Sequence, residues 1–247
     1  MKPILTILLA LAAPASAATH KLSVRVSHGK DVWAETLVLT DGEQKSDVAK
    51  VSGRSLIVNT LAASDPNVRG RVDLQYQVEL SAGPSSPEPV LQVQGDSMMR
   101  LGRPVQLVSC GLWTLELGVD SKGARARKDF GGGDGNVRLT AELDRGGAKT
   151  ACRQVLSGGA QGNVVDARKK DGVRSGLTMN ALVEPSGGGA NVQLQLEQTP
   201  PGGKSLQVQK EFALAYGRKK AVSGPGYRLG LLAEGAAGAK PADQDDE

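Results

Sequence analysis

Apolar and polar residues alternate along most of the chain beyond its first twenty residues. Segments 22–26, 72–80, 113–117 and 192–197 change between apolar and polar at nearly every step. A period of two is typical of a β-strand with one buried face and one solvated face. Clusters of Gly, Pro, Asn, Asp and Ser separate the runs at the spacing of an all-β fold. The pattern therefore predicts antiparallel sheets without helical crossovers.

Several of these segments occur twice, in the same order. Segment 91–94 (LQVQ) returns 115 residues later as 206–209, and Gly102-Arg103 returns at the same distance as Gly217-Arg218. Three further pairs of segments follow at closely similar distances: 22–26 with 137–141, 72–76 with 192–196, and 113–117 with 227–231. The sequence thus predicts an internal duplication. About eight strands in each copy, with strands at 88–95 and 98–108 in the first, indicate two tandem immunoglobulin-like antiparallel β-sandwich modules.

The repeats and the composition divide the chain into five parts. We predict a signal peptide at 1–17, a first module at 19–120, a Gly-rich basic linker at 121–135, a second module at 136–235 and a disordered acidic tail at 236–247. The tail is small and polar and ends in Asp-Gln-Asp-Asp-Glu, a composition that cannot bury a core.

The first seventeen residues resemble a bacterial export signal. Lys2 precedes a short apolar run at 4–13, Pro14 ends the run, and Ala15-Ser16-Ala17 supplies small residues at a cleavage site. No later apolar run approaches the ~18 residues that a membrane-spanning helix needs. We therefore expect an exported protein, periplasmic or extracellular, without a transmembrane segment after cleavage.

The chain has two cysteines, Cys110 near the end of the first predicted module and Cys152 near the start of the second. In an oxidising compartment two cysteines are paired more often than free. A bond between them would join the modules and stabilise the fold by roughly 3–4 kcal/mol. Two buried free thiols, or a bond to another chain, are the alternatives that the sequence leaves open.

The predicted mature N-terminus suggests a metal site. Cleavage after Ala17 would leave Ala18-Thr19-His20 at the start of the chain. A terminal amine, two backbone amides and an imidazole at position three can surround Cu(II) in a square plane. Cleavage after Ala18 would remove one of these ligands. Apart from this possible copper ion, the sequence predicts no cofactor.

Glutamines recur on the outward positions of the predicted strands in both modules. They are Gln75, Gln77, Gln92, Gln94, Gln193, Gln195, Gln207 and Gln209. A glutamine amide both donates and accepts hydrogen bonds, so such a face could bind a polar ligand or an added strand. A neutral solvated surface is the alternative interpretation.

Basic residues cluster at three places, which together could contact an anionic partner. The clusters are Arg125, Arg127 and Lys128; Arg168, Lys169 and Lys170; and Arg218, Lys219 and Lys220. Ordinary solubilising charge in turns and linkers is the alternative. No aromatic residues interleave with the clusters, which argues against stacked single-stranded nucleic acid.

Composition narrows the classes of function. The net charge is only +4 and aromatic residues make up 3% of the chain, so the sequence predicts no nucleic-acid partner. The chain has only two histidines and no Gly-x-Ser-x-Gly segment, so it has few residues that could act as nucleophile or base in nucleophilic catalysis. We therefore expect a non-enzymatic bacterial envelope protein, either a periplasmic accessory or a secretion-associated component. It would act in protein–protein interaction or assembly by presenting sheet edges and loops. A polysaccharide-binding or other polar-ligand module and a copper-binding protein are the alternatives.

Overall fold

The computed structural model describes residues 18–83, 86–121, 135–170 and 173–235. The predicted signal peptide, nearly all of the predicted linker and the predicted tail lie outside these residues. Sixteen β-strands account for most of the described chain, and none of it is helical, so no described helix could cross a bilayer. The all-β prediction is confirmed.

Each half of the chain supplies eight strands. The first half contains β1 (Thr19–His28), β2 (Asp31–Thr40), β3 (Gln44–Val51), β4 (Arg54–Ser64), β5 (Arg71–Gly83), β6 (Ser86–Arg100), β7 (Val105–Cys110) and β8 (Trp113–Ser121). The second half contains β9 (Asn136–Arg145), β10 (Ala148–Ser157), β11 (Gln161–Lys170), β12 (Val173–Ser186), β13 (Gly189–Thr199), β14 (Leu206–Ala215), β15 (Lys220–Gly224) and β16 (Tyr227–Gly235).

The strands form two antiparallel sheets of eight. The first sheet has the order β15-β16-β9-β10-β7-β8-β1-β2, and the second has the order β14-β13-β12-β11-β6-β5-β4-β3. Each half contributes four strands to each sheet in the same arrangement, as a duplication requires. This arrangement of antiparallel strands in two sheets is consistent with the immunoglobulin-like detail, which stays a prediction.

Both sheets pass without a break from one half to the other. In the first sheet β7 pairs with β10, and in the second sheet β6 pairs with β11. We call these two strand pairs the joint. The halves therefore share one sandwich with a continuous core of Leu, Val and Ala side chains between the sheets. Both tryptophans of the chain belong to this core.

The disulfide lies in the joint. Cys110 of β7 is directly opposite Cys152 of β10, with 4.0 Å between the two Cα atoms, and the cysteines are bonded. The predicted bridge between the halves is confirmed. Nearby, the indole nitrogen of Trp113 donates a hydrogen bond of 3.0 Å to the buried carboxylate of Asp166, which adds a second link across the joint.

Polar contacts also connect the two sheets at the joint. Gln154 of β10 donates to the main-chain carbonyl of Gln94 in β6 at 3.0 Å, and Ser97 donates to the carbonyl of Val155 at 2.9 Å. Burial of the Tyr76 hydroxyl among these groups raises its pKa far above the ordinary value. Each contact joins one half to the other, so the halves are held by more than strand pairing.

One predicted strand boundary is wrong. The sequence pattern gives strands at 88–95 and 98–108 with a break after Gly95, whereas β6 continues to Arg100 and the turn comes at 101–104. Gly95 looks like a turn residue, but it lies within the strand. A Cβ atom there would come within 2.9 Å of the Tyr76 hydroxyl, so the close packing of the joint explains the glycine.

Candidate functional site

The eight glutamines singled out from the sequence all lie on the outer side of the second sheet. The residue between the two glutamines of each strand is buried in the core: Tyr76, Val93, Leu194 and Val208. Because side chains alternate along a strand, the flanking glutamines point outward. We call this surface, formed by the outward residues of β3 to β6 and β11 to β14, the amide face.

A single row of opposed residues crosses all eight strands of the amide face. In strand order from β3 to β14 it contains Ser46, Asn59, Gln77, Gln94, Asn163, Asn180, Gln195 and Gln209. None of the eight is buried. At a strand spacing of about 4.8 Å, the eight positions span roughly 34 Å, and seven of them carry an amide. We call this row the amide ladder.

The ladder residues of the first half are followed, across the joint, by nearly the same residues in the second half. The rows on either side of the ladder repeat in the same way. One flanking row contains Gln44, Leu61, Gln75 and Asp96 in the first half, and Gln161, Leu182, Gln193 and Glu211 in the second. The other contains Val48, Ile57, Glu79 and Gln92, then Val165, Thr178, Glu197 and Gln207.

These three rows divide into two matching sets of twelve residues, one from each half, which we call the first and second half-faces. When positions are matched by strand and row, nine of the twelve carry the same residue in both half-faces. This match pairs Gln75 with Gln193, two residues away from the alignment of 72–76 with 192–196 that the sequence suggests. A tenth position, Asp96 and Glu211, keeps its negative charge. Outward side chains have no packing reason to be preserved after a duplication.

The outer surface of the first sheet does not repeat in this way. In the aligned repeats 22–26 with 137–141 and 113–117 with 227–231, the outward residues Ser23, Arg25, Thr114 and Glu116 correspond to Arg138, Thr140, Arg228 and Gly230. None of these four pairs is alike. The repeat on the second sheet is therefore a property of that face and not of every strand.

The half-faces are polar and weakly acidic. Four of their twenty-four residues are carboxylates, Glu79, Asp96, Glu197 and Glu211, and none is Lys or Arg. Burial raises the pKa of Asp96, and the nearby charge of Asp73 adds to the effect. The amides bond to neighbours on the face, since Gln77 donates to Glu79 at 2.7 Å and Asn180 donates to Gln195 at 3.3 Å.

Two shallow grooves open on the second half-face. Leu182, Gln193 and Glu211 line both of them, and Lys210 stands at the edge of the larger one. The grooves run over strands β12 to β14, so the amide face is uneven near the outer edge of the sheet.

Each open edge of the sandwich is closed by a lysine that bridges the two sheets. Lys45 of β3 donates to the carbonyl of Val38 in β2 at 3.0 Å, and Lys220 of β15 donates to the carbonyl of Ala213 in β14 at 3.4 Å. Lysines on edge strands oppose the addition of further strands. We call these contacts the lysine clasps, and they make the edges poor docking sites.

The predicted basic clusters are dispersed, and several members have partners within the chain. Arg168 forms a 2.7 Å ion pair with Asp166, Lys219 pairs with Glu142, and Lys220 belongs to a clasp. Arg218 is exposed. Arg125, Arg127 and Lys128 lie outside the described residues, and so do the side chains of Lys169 and Lys170. An anionic partner at these clusters stays a prediction.

His20 is buried rather than exposed at the start of the chain. Its Nδ1 lies 2.6 Å from the Ser121 hydroxyl, and its Nε2 lies 3.1 Å from Asp41 Oδ1 and 3.3 Å from the Ser64 hydroxyl. Thr19 is already paired in β1, with Ala18 just before it. Copper at Ala18-Thr19-His20 would have to break these contacts, and it stays an untested prediction. Within the described residues, no three His, Cys, Asp or Glu side chains form a metal-binding group.

Comparison with known proteins adds no assignment. No protein-family model, no curated protein and no solved structure matches the chain.

Sequence reasoning missed part of the amide face. It found the glutamines but not Asn59, Asn163 and Asn180, which complete the ladder. Each of those asparagines stands alone between apolar or small residues, and Asn59 and Asn180 are recognised as a repeated pair only once the strand register is known. Their place in the row depends on strand register, which the turns and the joint determine.

Proposed function

We propose that the protein is an exported, non-enzymatic protein of the bacterial envelope that acts by binding and assembly, with the amide face as its contact surface. One observation carries the proposal: the eight glutamines of the two halves lie on one uninterrupted surface that crosses the joint. A surface built only for solubility has no need of this continuity, because any charged residue would serve.

The lysine clasps favour the face over the edges. The sequence alone suggested binding through open sheet edges, but Lys45 and Lys220 each engage an edge-strand carbonyl. An arriving strand would have to displace them. The amide face needs no such rearrangement, since none of the ladder residues is buried.

The disulfide supports the proposed location. Cys110 and Cys152 are bonded in the buried joint, and such bonds persist outside the reducing cytoplasm. Together with the export signal in the sequence, the bond is consistent with a periplasmic or extracellular site of action.

Binding of the mature protein to isolated envelopes of its native cells tests the proposal. Gln77→Arg and Gln195→Arg place a bulky charge on the ladder in each half, and we expect the pair to reduce co-sedimentation at least tenfold. Thr36→Arg and Ala151→Arg make the same change at exposed positions of the first sheet and serve as controls. Equal binding by both pairs of variants, or no binding by the unaltered protein, would contradict the proposal.

A further inference from the structure

We infer that the amide face is a two-site surface for a neutral polysaccharide, which lies across the strands with one stretch of the polymer on each half-face. This inference rests on the proposed function, because it names the partner of the same surface.

The first argument is the repeat itself. Nine of twelve outward positions are the same in the two half-faces, while the outward positions of the aligned repeats in the first sheet have diverged. Preserved exposed residues point to binding, because packing does not constrain them. Two equal surfaces, displaced by four strands or about 19 Å, fit a ligand that is itself a repeat.

The second argument is the shape of the sheet. Neighbouring strands are rotated relative to one another, so the second half-face is turned away from the direction of the first. A rigid globular partner cannot meet both half-faces in the same way. A linear polymer can follow the twist along the ladder and present like groups to each.

The third argument is the chemistry of the half-faces. Amide groups donate and accept hydrogen bonds, as sugar hydroxyls do, and the four carboxylates accept from hydroxyls. The excess of negative charge and the lack of any Lys or Arg in the half-faces oppose an anionic polymer. Leu61 and Leu182 occupy matching places and offer apolar surface to the C–H groups of a sugar ring.

The middle of the ladder also has an unused acceptor. Asn163 Oδ1, beside the joint, has no hydrogen-bond partner although it is shielded from solvent. Buried polar atoms are almost always paired, so a hydroxyl donor at this place would complete the arrangement.

The lack of sugar-stacking rings on this face explains why two half-faces are needed. Trp33, Trp113 and Tyr76, the aromatic residues best placed to stack on a sugar, are all buried. Each half-face must therefore bind weakly, through hydrogen bonds and aliphatic contacts without ring stacking. Linking two weak sites by one polymer can raise the overall affinity by about 10²–10⁴.

Calorimetric titration with linear neutral oligosaccharides of glucose, mannose and N-acetylglucosamine tests the inference. Each sugar is used as a short chain that covers one half-face and as a long chain that covers the ladder, with polygalacturonate as the anionic control. For at least one sugar, we expect two short chains to bind per protein, and one long chain to bind about 100-fold more tightly.

Variants of one half-face give the sharper result. Gln77→Ala with Gln94→Ala should reduce the stoichiometry of the short chain from two to one without changing its Kd. The same variant should lose about 100-fold in affinity for the long chain. Gln195→Ala with Gln209→Ala should behave identically, and Thr36→Ala should match the unaltered protein.

Two results would overturn the inference: no neutral chain binding better than polygalacturonate, or long chains binding no more tightly than short ones. If the sugars fail while Gln77→Arg and Gln195→Arg still abolish binding to envelopes, the partner is a protein and the proposed function stands. If both assays fail, the proposed function is also wrong.

Discussion

At the residue scale, the burial of His20 is the least expected feature of the chain. A histidine three residues after a predicted cleavage site suggests exposure, yet this ring is almost wholly buried. Its neighbours Asp41, Ser64 and Ser121 come from the turn after β2 and from the ends of β4 and β8. The imidazole therefore fixes the start of β1 to both sheets.

Asp41 gives this cluster a pH dependence. Burial would raise the pKa of Asp41, but hydrogen bonds from His20 and from the main chain and hydroxyl of Ser64 outweigh burial and hold it below the ordinary 3.8. A lowered pKa stabilises the fold at pH values above 3.8, and that stabilisation is lost as the pH falls below 3.8 through the folded-state value.

We expect Asp41→Ala to lower the free energy of unfolding by about 1–3 kcal/mol at neutral pH, because it leaves the Ser64 amide and His20 without their acceptor. The difference between variant and unaltered protein should shrink as the solution is acidified below the ordinary carboxylate range. Urea unfolding at several pH values measures both effects. Asp31→Ala, at an exposed hairpin position, is the control, and an equal loss in the control would contradict the assignment.

At the element scale, the sequence predicted much of what the structure contains. Alternation located nearly all of the strands, and it placed the glutamines on the outward side of β5, β6, β13 and β14. The error at Gly95 shows the limit of this reasoning, because a glycine at a turn and a glycine under a tyrosine look alike in sequence. What distinguishes them is the Tyr76 hydroxyl, which arrives from a neighbouring strand.

The lysine clasps give a prediction about the edge strands. Lys45→Ala combined with Lys220→Ala frees the carbonyls of Val38 and Ala213 at opposite ends of the sandwich. Open edges pair with other strands, so we expect the double variant to self-associate more than the unaltered protein. Sedimentation velocity over a range of concentrations measures the association.

Lys50→Ala is the control for the clasp variants. Lys50 is exposed on the same edge strand as Lys45, but no clasp involves it. If the Lys50 variant associates as strongly as the clasp variants, loss of surface charge is the cause and the clasps have no guarding role.

At the scale of the whole molecule, the joint could not have been read from the sequence. Repeats at a distance of 115 residues predict two copies, but no feature of the sequences of β6 and β11 indicates that these two strands pair with each other. Only the cysteines gave a sign of contact between the halves. The amide ladder depends on the joint, because the row is continuous only where Gln94 meets Asn163.

We expect the disulfide to stabilise the joint. Replacing Cys110 and Cys152 together by Ala removes a cross-link between residues that are 42 positions apart in the sequence, and it should lower the free energy of unfolding. By chain entropy the loss is about 3–4 kcal/mol. Urea unfolding followed by the fluorescence of the buried tryptophans Trp33 and Trp113 measures the change.

A reductant is the matching test for the disulfide. It should shift the unaltered protein to the midpoint of the Cys110→Ala, Cys152→Ala variant and leave the variant unchanged. A variant as stable as the oxidised protein would show that the paired strands and the Trp113–Asp166 hydrogen bond hold the halves without covalent help.

The joint connects unlike edges, β7 of one half to β10 of the other, where β10 is the counterpart of β2. Such head-to-tail contacts extend a structure instead of closing it into a pair. A chain of any number of halves would therefore have the same two ends, β2 with β3 and β14 with β15, and each added half would lengthen the amide face by four strands. The length of the amide face is therefore set by the number of halves, and gene duplication alone can change it.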